Sequence, residues 1–124
     1  MMFLALLSSN ANATYEIEGD YSGHGEGDLS MRIIVLDNEK GIVAVSASTG
    51  TGGCSGTIAG VGNYIGNTLK FGNYTKEEGA ENCMVNVTFK DGKKGKKVGE
   101  ISEENCSYFH GAACAFDGNI LKNK

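Results

Sequence analysis

A chain of 124 residues can build one domain with a substantial core but is too short for two. Nineteen glycines with no proline or tryptophan, and a 40% hydrophobic share, exclude a disordered chain and point to short strands joined by tight turns. The formal net charge of -4 hides an asymmetry: Lys90, Lys93, Lys94, Lys96 and Lys97 supply five of the 11 basic residues, so the remaining surface is acidic, which disfavours nucleic acid and favours a cationic partner.

The chain begins with an apolar run, Met2 to Leu7, followed by the A-x-A pattern Ala11-Asn-Ala13. This reads as a signal peptide over residues 1–13 whose usual basic residues are missing, so that either its start is truncated or a nearby upstream start was missed, with a mature domain over residues 14–124. The run falls well short of the roughly 20 apolar residues of a membrane span. Four cysteines, all after Ala13, fit an oxidising compartment, so a periplasmic or secreted location is expected.

In the mature part, Tyr15 and Ile17 alternate with Glu16 and Glu18, predicting an edge strand over residues 14–18, and the glycine-rich stretch from Gly19 to Asp28 predicts a loop. Leu29, Met31, Ile33 and Val35 share one face of a strand, which turns at Asp37 to Gly41 and returns through Ile42 to Ala47. Cys54 to Val61 is a glycine-rich strand, Thr68 to Phe71 a short one, and residues 73–82 the longest loop. Cys83, Val85, Val87 and Phe89 face inward on the next strand, Asp91-Gly92 turns it, and Lys97 to Ile101 follows. The ending predicts a hairpin, Cys106 to His110 against Ala113 to Asp117, turning at Gly111-Ala112 and closing the sheet. About eight short strands with regular turn signals give an all-β fold: a single antiparallel barrel or flattened sandwich stapled by disulfides. Its expected core comprises the inward residues from Leu29 to Phe89 already named, together with Val43, Val45, Ile58, Leu69, Phe71, Phe109 and Phe116. Four cysteines allow three pairings; Cys54 with Cys83 and Cys106 with Cys114 are expected, since each closes a modest loop.

No catalytic constellation accompanies these elements. His24, Glu26 and Asp28 alternate, so an extended chain would place them on one face, but a closed metal site needs a fourth ligand, and no metal is expected. The run Thr49 to Cys54 lacks the Gly-Lys-Ser/Thr ending of a phosphate loop, and Ser55 is no nucleophile elbow because Thr57 stands where glycine is required. His110 reads as a structural histidine bonding backbone at a turn. No cofactor and no enzymatic activity are expected. Lys93, Lys94, Lys96 and Lys97 form either a solvated hairpin tip or a patch for an anionic polymer. The glycosylation pattern occurs at Asn73, Asn86 and Asn105, and the place of Asn86 in a strand makes these sites incidental.

The ending Cys-x-Tyr-Phe-His-Gly-Ala-x-Cys-x-Phe-x-Gly at Cys106 to Gly118, with Cys-Ser-Gly-x-Ile-x-Gly-x-Gly at Cys54 to Gly62, resembles small secreted bacterial β-barrel proteins related to periplasmic inhibitors of c-type lysozyme. The resemblance implies a barrel that binds and blocks a cell-wall hydrolase. The inhibitory Ser-Gly-x-x-Tyr loop of such proteins is only half present: Ser22-Gly23 is followed by His24-Gly25-Glu26, without the tyrosine. The expected partner is therefore a protein, a c-type lysozyme, met by the acidic stretch holding Ser22, His24, Glu26 and Asp28. The alternative is an envelope module binding anionic polymer through the lysine cluster.

Overall fold

The computed structural model describes residues 13–123; the expected signal segment lies outside them except for Ala13. Eight antiparallel strands follow one another around a closed barrel: β1 (Gly19–Gly25), β2 (Asp28–Asp37), β3 (Ile42–Thr51), β4 (Cys54–Ile65), β5 (Thr68–Phe71), β6 (Met84–Asp91), β7 (Lys97–Glu104) and β8 (Gly118–Lys122). β8 pairs back onto β1, so among the described residues no strand edge is left open. Three 3-10 turns, Thr14–Ile17, Lys93–Gly95 and Ser107–Phe109, complete the regular structure of the described residues.

Alternation places one face of each strand inside. Met31, Ile33, Val43, Val45, Ile58, Leu69, Phe71, Val85, Val87 and Phe89 fill the interior as their spacing predicts, and Phe116 joins them from the last connection. Val35 and Phe109 are only partly buried against this core. Ile17, Tyr21, Ile101 and Ile120 are added to it. A small eight-stranded barrel is just wide enough for side chains to fill it, so the interior is a packed core. Polar residues dominate the outside, the reverse of a membrane barrel's apolar exterior. No helix among the described residues is long and apolar enough to cross a membrane.

Three expectations about the elements are corrected, and a fourth, the disulfide pairing, with them. Residues 14–18 form a 3-10 turn, because the Thr14 hydroxyl donates to the Asn38 carbonyl (2.9 Å) and Asn38 Oδ1 accepts the amides of Thr14 and Tyr15, leaving this backbone no strand to pair with. The stretch from Gly19 is a strand, since its glycines are where β1 meets β8: a Cβ on Gly23 would lie 1.8 Å from the Asn119 carbonyl oxygen. The C-terminal hairpin is absent. Ser107–Phe109 is a 3-10 turn, His110 makes an isolated bridge to Gly56, and the closing strand is β8.

The disulfides follow from that correction. Pairing of Met84 with Glu104 at the ends of β6 and β7 leaves Cys83 beside Cys106, with Cα atoms 4.6 Å apart, and these two are bonded. The bridge from His110 to Gly56 lays the last connection across the start of β4, so Cys114 bonds Cys54. The expected partition, Cys54 with Cys83 and Cys106 with Cys114, is thus replaced by bonds closing separations of 60 and 23 residues.

Candidate functional site

Up-and-down connectivity sorts the connections onto two ends. The β1–β2, β3–β4, β5–β6 and β7–β8 connections share one end, and both disulfides lie there. Glu26 and Asp28 come to this end from the first hairpin, Glu77, Glu78 and Glu81 from the β5–β6 loop, Glu103 and Glu104 from the end of β7, and Asp117 from the last connection; Lys76 is the single lysine among them. The opposite end mixes Lys40, Lys93, Lys94, Lys96, Lys97 and Lys122 with Glu16, Glu18, Asp37, Glu39 and Asp91, and is close to neutral. The charge asymmetry along the sequence is therefore an asymmetry along the barrel axis.

At the acidic end a buried ion pair fixes the last connection. The His110 side chain is only 6% exposed and that of Glu103 11%. His110 Nε2 donates to Glu103 Oε2 (2.9 Å) and Nδ1 to the Gly111 carbonyl (2.6 Å), while Glu103 Oε1 accepts the Phe116 amide (2.6 Å). Both ring nitrogens face acceptors, which only the doubly protonated ring satisfies. Burial opposes that charge, but Glu103 and the Gly111 carbonyl outweigh it and raise the pKa of His110 above the usual histidine value, with Glu26 adding a smaller pull. With neither nitrogen free, His110 has no lone pair to act as a base. Burial, then repulsion from Glu103, raises the carboxyl pKa of Asp117.

The residues expected to meet a partner are only partly assembled. Ser22 pairs with Ser30 on the exposed wall of the first hairpin, and His24 faces Asp28 at 3.3 Å, both well exposed. Glu26 turns away from them, and its Oε1 accepts the Ala115 amide at 2.8 Å. The stretch is a stiff hairpin tied to the last connection rather than a loop, and its three titratable groups do not converge. Sequence reasoning missed Tyr108, which is 60% exposed at this end with its hydroxyl directed at Glu77 (3.4 Å). It also missed Glu103, whose role no local pattern signals because its partners come from the far side of the connection.

No protein-family model, no curated protein and no solved structure matches this chain. At the other end the lysine patch is narrower than expected: Lys97 is largely covered and bonds Asp91 (2.9 Å) and Glu16 (3.5 Å), which raises its pKa. Lys93 and Lys94 are exposed and form no ion pair among the described residues.

Proposed function

We propose that the chain is an exported, non-catalytic binding protein whose disulfide-held acidic end engages a cationic protein, a c-type lysozyme or similar cell-wall hydrolase. The observation that carries this reading is the gathering of Glu26, Asp28, Glu77, Glu78, Glu81, Glu104 and Asp117 around one end, opposed there by Lys76, with Glu103 taken up by the buried pair with His110. Such a surface steers a basic enzyme into encounter, and an exposed tyrosine such as Tyr108 is the kind of residue that anchors a protein contact. The two disulfides hold the connections that carry these groups, so little order is lost on binding, and they fit an oxidising compartment.

Calorimetry and surface binding with a c-type lysozyme test it. Binding should be measurable at low salt and weaken as salt rises, with hydrolysis of cell wall slowed. Glu26→Gln with Asp28→Asn should slow association severalfold and change dissociation less, whereas Lys93→Gln with Lys94→Gln should leave both rates within about twofold. No binding at low salt, with hydrolysis untouched, refutes the reading.

The second reading is an envelope module that binds anionic polymer, supported by exposed Lys93 and Lys94 on the opposite end. It predicts retention on a sulfated polysaccharide that Lys93→Gln with Lys94→Gln abolishes.

A further inference from the structure

We propose that the outer wall of β1 to β4 is a binding site for a neutral oligosaccharide. A shallow groove of about 560 Å³ runs along this wall. Its floor is two successive rows of outward residues in register across the four strands: Asp20, Arg32, Ser46 and Ala59 in one, and Ser22, Ser30, Ser48 and Thr57 in the other. The second row is thus a line of four hydroxyls. The first contains a planar pair, in which Arg32 Nε and Nη2 donate to the two carboxylate oxygens of Asp20 at 2.6 and 3.2 Å.

Tyr74, 76% exposed, forms one side of the groove on a fixed backbone. Its amide donates to the Ala59 carbonyl (2.7 Å), and Asn73 Oδ1 accepts the Ala59 amide (3.3 Å). Gly60 makes this docking possible, since a Cβ there would lie 1.8 Å from the Gly72 carbonyl oxygen. An aromatic ring so exposed, yet held by main-chain bonds, can take a ligand against its face with little loss of order.

The chemistry selects the ligand class. Arg32 and Asp20 neutralise one another, so the floor favours neither anion nor cation, but each keeps hydrogen-bonding capacity that suits adjacent hydroxyls on a sugar ring. The serines and Thr57 both donate and accept, as sugar hydroxyls do, and the apolar face of a pyranose suits Tyr74. A peptide fits less well, because the closed barrel offers no strand edge here and the two rows hold no deep apolar pocket. This site lies on the wall and is independent of the acidic end.

Isotope-labelled full chain, titrated separately with cellotetraose, mannotetraose and tetra-N-acetylchitotetraose to about 10 mM, tests the proposal by amide chemical shifts. At least one sugar should give saturating shifts at Arg32, Ser46, Ser48 and Tyr74, with a Kd on the order of 1 mM. Tyr74→Ala should weaken that binding roughly tenfold, and Tyr74→Phe, which keeps the ring, should stay within about threefold. Absence of saturating shifts with all three sugars, shifts confined to another face, or unchanged binding by Tyr74→Ala overturns it. So does a saturating response of the same residues to a Gly-Ser-Ala heptapeptide and to none of the sugars.

Discussion

Glu103→Gln isolates the interaction that holds the last connection over the barrel mouth. The carboxylate accepts from His110 and from the Phe116 amide and is nearly buried, as is its partner. The amide is the same size but carries no charge, and its one oxygen cannot replace two acceptor oxygens. Hydrogen bonds to a buried charge contribute about 1.5–3 kcal/mol each, and stripping one partner from a buried pair costs about 3–5 kcal/mol. A loss of about 3 kcal/mol near pH 6 follows, or roughly 10 °C in Tm for a domain of this size. The pH dependence is the sharper signature. His110 has its pKa raised by folding, so the stability it contributes is fully present below its unfolded pKa of about 6.5 and is lost as pH rises through the higher folded value. Glu103, Glu26 and Asp117 are the carboxyls acting on it; Asp117, also raised, loses its contribution in a separate, acidic window starting above its ordinary value of 3.8. Urea unfolding followed by circular dichroism, disulfides intact, should therefore show the native chain weakening as pH rises above about 6.5 and the variant largely lacking that slope. Parallel stability curves for the two proteins would refute the buried ion pair.

Non-reducing peptide mapping should find Cys54 joined to Cys114 and Cys83 to Cys106, and replacing Cys83 and Cys106 together by alanine should cost about 3 kcal/mol in urea unfolding, as expected for closing 23 residues. Asn38→Ala removes the side-chain acceptor of the Thr14 and Tyr15 amides and should cost about 1–2 kcal/mol, with faster hydrogen exchange at those two amides. Gly23→Ala, which sets a methyl against the Asn119 carbonyl, should cost about 3 kcal/mol or more and increase hydrogen exchange along β8, whereas Gly52→Ala, in open space, should change stability by under about 1 kcal/mol.

Strand alternation made the middle of the barrel legible, because β2, β3 and β6 bury every second residue and a period of two is visible without knowing the partner. The barrel's seam was not legible. β1 carries glycine at Gly19, Gly23 and Gly25, so its alternation shows one inward side chain, Tyr21, and its identity as a strand depends on β8 far along the chain. β8 shows inward Ile120 alone in five residues, too little for a period. The segment between Cys106 and Cys114 misled for the opposite reason. Its spacing imitates a hairpin, but the Phe109 amide bonds the Cys106 carbonyl and the Gly111 amide bonds Ser55, so its backbone is satisfied by a turn and by β4 rather than by itself. The correct disulfides were hidden with it, since each joins a strand start to a connection whose path only the closed barrel defines. At the acidic end the constituent residues were visible, but their convergence was not, for it depends on which connections share an end.

The arrangement of charge along the axis explains why the total is a poor guide to what this surface attracts. A strand of eight residues rises about 27 Å, and tilted as in a small barrel it separates the two ends by about 20 Å. Screening at physiological salt has a length of about 8 Å, so the lysines of one end reduce the field at the other by only about a tenth of their unscreened effect. A cationic partner nearing the acidic end meets a cluster of carboxylates with Lys76 as the one lysine among them and His110 buried against Glu103, and the lysines beyond are electrically remote. At low salt that isolation fades, because at about 0.01 M the screening length grows to about 30 Å and spans the barrel. The lysine end should then oppose association slightly. Neutralising Lys93 and Lys94 should accordingly speed lysozyme association at about 0.01 M salt and leave it unchanged at about 0.15 M, a crossover that a uniformly acidic surface would not produce.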